Sequence, residues 1–222
     1  PGDSGTGIPI YNCFDVVKLW HMNKPIDPKT GYKRPTVVNM SWGYYSSFFN
    51  IIGGVYRGTP WTGITKQAQY GMIGNPWHFG ARVGSVDVDM QEMIDAGIIV
   101  CHAAGNNYQK IDLSSGPDYN NYFTSSLYGN LYYNRGGSPL SADAINVGAT
   151  ASGVYSIQLE GKDSYSDAGP GVDLYAPGSD IMSCTSTVNR WGTGSQTYFL
   201  NSNYKQTNIS GTSMASPQIT GM

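Results

Sequence analysis

The run SVDVDMQEMIDAGIIVCHAAGN, Ser85 to Asn106, holds two kinds of pattern back to back. Val86, Met90 and Ile94 recur at helical spacing. Asp87 and Asp89 suit the positive end of a helix, Ser85 can cap it and Gly97 can end it. IIVCHAA follows at once, a short apolar run that reads as a buried strand and opens into Gly105-Asn106. Upstream, TVVNMS (Thr36 to Ser41) is a second strand of the same kind, ending in Trp42-Gly43. Strand, crossover with helix, then apolar strand is the pattern of a βαβ unit in a parallel sheet.

Outward from this unit, IPIYNCFDVVKLWHMN places Ile10, Phe14, Val17 and His21 on one helical face, flanked by Cys13 and Trp20, with Pro9 near the first turn. KPIDPKTGYKRP supplies three prolines and a glycine, a surface loop. Residues 44–84 are rich in Tyr, Gly and Trp, and 107–141 are polar and aromatic with Gly and Asn punctuation; neither has a sustained period, and both read as loops with short elements. AINVGA, VDLYAPG and DIMSC read as three more short strands. The 222 residues suffice for one α/β domain, expected to be incomplete at both ends because the chain starts at Pro1 and stops inside an expected helix at Gly221-Met222.

Charged residues make up 13% of the chain, about half the usual share, so the polar surface leans on Asn, Ser, Gly and the 17 tyrosines. That balance favours an extracellular setting. A net charge of −2 with no basic run gives no reason to expect nucleic acid, and no apolar segment is long enough for a bilayer. Cys13, Cys101 and Cys184 lack zinc or CxxC spacing and are expected to be small buried apolar residues.

Ligands of open parallel sheets bind beyond the carboxyl ends of the strands, and here two strands end in the polar sequences NMSWG and HAAGN. A third segment, SGTSMASP (Ser210 to Pro217), is a glycine turn feeding a helix. A helix starting near Ser213 would set that hydroxyl beside free amide donors, with Pro217 placed where a missing N–H costs nothing. This arrangement suits acyl transfer: a serine attacks a carbonyl, and pre-aimed donors receive the oxyanion. The Ser213 N–H and the Asn106 side-chain amide are the candidate donors.

SGTSMASP resembles the nucleophile motif of the subtilases, the subtilisin-like serine peptidases. AAGN resembles their oxyanion segment, NMSWG their substrate-binding strand, and GVDLYAPG also fits. The resemblance implies a three-layer subtilisin-like α/β fold, a mostly parallel sheet flanked by helices. It implies a serine endopeptidase with Ser213 as nucleophile, Asn106 in the oxyanion hole and a polypeptide as substrate. Ser41, Trp42 and Gly43 would offer backbone to an extended substrate. Ala103, Ala104 and Gly105 would line the pocket for the residue before the scissile bond. Trp42 would add an apolar contact further along the substrate. No organic cofactor is implied. Calcium often stabilises such folds, but no ligand set can be assigned here.

The sequence departs from that pattern in its base. Subtilases order their triad Asp, His, Ser, the His in an HGT-type helix start. None of His21, His78 and His102 is followed by Gly-Thr or Gly-Ser. His21 is expected at the surface or rim, His102 in the core bonding a backbone carbonyl, and His78 in a loop. The triad Asp and His are therefore expected upstream of Pro1, and residues 1–222 alone are expected to be inactive. The alternative is a non-catalytic subtilase-like domain that binds peptides or serves structurally. Gln218-Ile219 replaces the family's His-Val and is assigned to packing. Asp112 and Asp118, in the long 107–141 connection, lack calcium-loop spacing and are expected in a solvated loop. Ser4, in the short PGDSGTG run, reads as a Gly-rich turn.

Overall fold

The computed structural model describes residues 9–47, 50–63, 78–151, 161–185 and 196–222; Ser4 lies outside them. In chain order the elements are α1 (Ile10–Met22), β1 (Val37–Met40), β2 (Tyr45–Ser47), β3 (Ile51–Tyr56), β4 (Thr59–Thr62), β5 (His78–Gly80), α2 (Gly84–Asp95) and β6 (Ile99–Ala103). Then follow β7 (Tyr122–Ser125), β8 (Gly129–Tyr132), β9 (Ile145–Thr150), β10 (Leu174–Pro177), β11 (Ile181–Thr185), β12 (Gln196–Thr197), β13 (Lys205–Ile209) and α3 (Thr212–Thr220).

The apolar runs form one parallel sheet in the order β1-β6-β9-β10, with Val38 opposite Val100, Ala103 opposite Val147 and Ala149 opposite Ala176. Because side chains alternate along a strand, the sheet carries a core on each face. Met40 and Val100 pack with Phe14 of α1 and Val86, Met90 and Met93 of α2. Val147, Ala149 and Ala176 pack with Ala215 of α3 on the other face. The result is the three-layer α/β arrangement read from the sequence.

Local details differ. Helix α2 starts at Gly84 with Val83 at the cap position and no side-chain cap, so Ser85 lies inside the helix. Gly97 does close it, in the left-handed region at φ +91°. Trp20 and Cys13 are exposed on α1, Cys184 is exposed as well, and only Cys101 is buried. The two stretches read as loops build a second, antiparallel sheet, β4-β3-β7-β8. Its core is Ile51, Trp61, Phe79, Phe123 and Tyr133, with Trp61 and Phe123 edge to face at 5.6 Å. Gly54 is required there: a Cβ would collide with the Tyr122 carbonyl of the neighbouring strand.

Asp112 and Asp118 are buried rather than solvated. Asp118 takes Arg57 Nε at 2.6 Å and Nη2 at 3.0 Å, plus Lys110 Nζ at 2.6 Å. Asp112 accepts from Lys110 and from the backbone N–H groups of Leu113 and Asp118. With their oxygens committed to these donors, the pair does not fit a cation. This ion-pair network ties the β3–β4 turn to the 107–141 segment.

Candidate active site

Strands β1 and β6 and helix α3 meet at the carboxyl end of the parallel sheet, bringing together residues more than 100 positions apart. Asn106 follows β6 and stands exposed at the rim. Its Oδ1 accepts two hydrogen bonds from Thr212, from the backbone N–H and from the hydroxyl, both 2.9 Å. Only the oxygen can accept, so the network fixes the amide and leaves Nδ2 as the outward donor. A Cβ on Gly211 would lie 3.4 Å from Asn106 Nδ2 and 3.7 Å from the Ser213 nitrogen. The two nitrogens named from the sequence therefore border the position that a Gly211 side chain would take, with Met214 Sδ also 3.7 Å from it.

Ser213 is the second residue of α3, half-buried, and its Oγ donates to the Ser41 carbonyl at 3.1 Å. The Ser41 hydroxyl donates back to the Ser213 carbonyl at 2.8 Å. Pro217 explains this return bond. It sits sixth in the helix rather than in the first turn, so its missing N–H deprives the Ser213 carbonyl of its intrahelical donor. Asn39 extends the lattice: its Nδ2 donates to Ser41 Oγ at 2.9 Å, and its Oδ1 accepts from Ser216 Oγ at 2.8 Å.

Ala103 and Ala104 are buried at the end of β6, and the Gly105 N–H that follows donates to Thr212 Oγ1 at 3.2 Å. Gly43 is half-buried, as are Ser41 and Trp42. The Trp42 ring is held edge-on by Phe14 at 6.4 Å and Tyr44 at 5.9 Å. It borders an apolar cleft of about 150 Å³ shared with Ile10, Val17, Val38 and Met93.

The histidines stand elsewhere. His21 is buried, not at the rim: its Nδ1 pairs with Thr36 Oγ1 at 2.7 Å, and its Nε2 lies near Gly97. Thr36 and Gly97 precede β1 and β6, so His21 is at the amino end of the sheet, opposite Ser213. His102 donates from Nε2 to the Trp42 carbonyl at 3.1 Å, as expected, and points to the α2 face. Burial pushes its pKa down to about 4, so it is neutral. His78 opens β5 rather than lying in a loop; its Nδ1 pairs with Ser47 Oγ at 3.1 Å, and its carbonyl accepts from Asn107 Nδ2 at 3.2 Å. None of the three makes a hydrogen bond to Ser213.

Thr212, Asn39 and Asp167 were not singled out by sequence reading. Thr212 and Asn39 lie inside the quoted motifs, but their partners are distant in the chain. Asp167, 2% exposed, sits under the Gly105–Asn106 segment, and nothing in SYSDAG marked it. Among the described residues no group of three or more His, Cys, Asp or Glu is placed to hold a metal ion, and no helix is long and apolar enough to cross a membrane.

Over 128 residues the chain is 37% identical to "Subtilisin-like protease 4" of Trichophyton equinum, covering 58% of this chain and 21% of that protein. It is 40% identical over 89 residues to "Subtilisin-like protease 1" of Arthroderma otae, covering 40% of this chain and 14% of that protein. The matched segments thus span about a fifth or less of these relatives. The crystal structure of a cold adapted subtilisin-like serine proteinase aligns with a TM-score of 0.46 at 21% identity, covering 97% of this chain and 47% of that one. The Subtilase family profile matches residues 21–222, nearly the whole chain, and this chain belongs to the subtilase family.

Proposed function

We propose that this chain is the nucleophile-bearing part of a serine endopeptidase. Ser213 attacks the peptide carbonyl, and the Asn106 amide and Ser213 N–H receive the oxyanion. The observation that carries this reading is the nearness of those two nitrogens to one position beside Gly211. Such donors act because they are already aimed where charge develops. The reading assigns the backbone of Ser41, Trp42 and Gly43 to an extended polypeptide, which would share the Ser41 and Trp42 carbonyls with Ser213 Oγ and His102 Nε2, and it assigns Ala103, Ala104 and Gly105 to the opposite wall. Trp42, on the same strand end, would add an apolar contact further along the substrate.

The base is the missing part. In this structure the Ser213 proton rests on a backbone carbonyl, a poor acceptor of a proton in reaction. The three histidines are held in other hydrogen bonds, so the reading assigns the base, and its orienting Asp, to polypeptide outside residues 1–222. No organic cofactor enters the scheme. The sparse charge favours work outside the cytosol.

Fluorophosphonate labelling tests the assignment. The full-length protein should label, Ser213→Ala should not, and residues 1–222 alone should neither label nor cleave a peptide ester. Absence of labelling in the full-length protein would instead indicate a peptide-binding domain.

A further inference from the structure

The segment Gly105–Gln109 must hold Asn106 still, yet its backbone is strained. Gly105 has φ +124° and Tyr108, which is not a glycine, has φ +56°. A left-handed non-glycine residue persists only where its surroundings impose it. Here one side chain does much of the imposing. Asp167 Oδ1 accepts from the Asn107 N–H and the Gln109 N–H, both at 2.9 Å, spanning Tyr108. The Asp167 N–H donates to the Gly105 carbonyl at 2.9 Å. Tyr108 N–H to the Tyr165 carbonyl and Ala168 N–H to the Gln109 carbonyl, both 2.9 Å, complete the lacing. The fit is close: a Cβ on Gly105 would collide with Asp167 Oδ2.

We propose that Asp167 is a positioning residue for the oxyanion-binding Asn106: its carboxyl clasps the strained segment on both sides of Tyr108 and so fixes where Asn106 Nδ2 points. The inference rests on the reading of Asn106 and Ser213 given above. Asp167 itself touches neither the substrate space beside Gly211 nor Ser213 in any hydrogen bond shown here. It acts through backbone amides. What it supplies is an acceptor, which a buried amide side chain can also supply.

The charge on that acceptor is adjustable. Burial pushes the Asp167 carboxyl up to about 7, against the opposing pull of the Gln109 and Asn107 amides and of Lys162. The groups facing it are Lys162, whose Nζ bonds the Asp163 and Ser166 carbonyls and lies over the Tyr108 ring, and the phenols of Tyr45 and Tyr175.

Three variants of the full-length protein decide the matter. Asp167→Ala removes the acceptor, and its kcat should fall by about tenfold to a hundredfold, as expected when a reacting group is displaced by a fraction of an ångström. KM should change by less than about threefold, because substrate-binding backbone is untouched. Asp167→Asn keeps an oxygen facing the two amides and should retain most of kcat. Amide exchange at Asn107 and Gln109 should quicken in Asp167→Ala while α2 and α3 stay protected, which separates loosening of the segment from global unfolding. Wild-type kcat in Asp167→Ala, or an equal loss in Asp167→Asn with exchange at Asn107 and Gln109 unchanged, overturns the inference. Asn106→Ala is the third variant. If it leaves kcat untouched, the reading of the active site itself has failed and the inference falls with it. If it lowers kcat while Asp167→Ala does not, only the inference fails.

Discussion

Thr212 holds Asn106 twice, through its backbone N–H and through its hydroxyl, each 2.9 Å from the same amide oxygen. The residue before Ser213 thus holds the amide that the proposed mechanism assigns to the oxyanion. Its hydroxyl also takes the Gly105 N–H, closing a small ring between β6 and α3.

Thr212→Val keeps the backbone bond and the shape but deletes the hydroxyl. In the full-length protein kcat should drop about tenfold, the effect of roughly 1.4 kcal/mol of lost alignment, with KM little changed. Thr212→Ser should restore most of it. Steady-state kinetics on a peptide ester gives the comparison.

Ser41 and Pro217 form a compensating pair. The Ser41 hydroxyl satisfies the carbonyl that Pro217 leaves without a donor. Ser41→Ala should lower stability by about 1–2 kcal/mol, leaving that carbonyl under-satisfied. Adding Pro217→Ala restores an N–H to the helix, so the double variant should lose less than the sum of the two single ones. Denaturant melts in a double-mutant cycle measure the coupling, and strict additivity would contradict it.

Asp167 gives a pH signature of defined sign. Its carboxyl is raised by burial from 3.8 to about 7 in the folded protein, so between those values the folded state binds the extra proton. Its stability contribution is complete below 3.8 and is lost as pH rises through about 7, by up to roughly 4 kcal/mol. Asp167→Asn should flatten that part of the stability profile. Equal slopes for wild type and variant between pH 5 and 8 would show that Asp167 does not titrate there.

The Asp118 network has the opposite sign. The Arg57 guanidinium, followed by Lys110 and Asn121, holds its carboxyl well below the usual carboxylate range. Its contribution is present above 3.8 and is lost as pH falls below that value. Asp118→Asn should destabilise the protein by about 2 kcal/mol at neutral pH, since it leaves Lys110 and Arg57 short of a charged partner. Thermal melts at pH 7 should show this, with the difference shrinking in acid.

Much of the framework was legible because it is local. Helices α1 and α2 and the strands of the parallel sheet declare themselves by spacing or by apolar runs bounded by turns, and SGTSMASP and AAGN carry their chemistry within eight residues or fewer. The β4-β3-β7-β8 sheet was not legible. Its strands come from two separated Tyr- and Gly-rich stretches, and Gly54 is there to let backbones approach, which leaves no periodic signal. The same holds for Asp118, whose ion pair is with Arg57, some 60 positions away.

By itself the sequence determined the α/β class, the identity of Ser213 and Asn106 as candidates, and the absence of an HGT-type histidine, since each is a matter of residue type and short-range order. Only the tertiary structure decided that Asn106 Nδ2 and the Ser213 nitrogen border one position beside Gly211, that Ser41 answers for Pro217, that His21 is at the wrong end of the sheet, and that Asp167 underlies the Asn106 segment. Those relations join residues tens to more than a hundred positions apart. They exist because strand register and helix packing bring those residues together, and no pattern along the chain encodes such a distance.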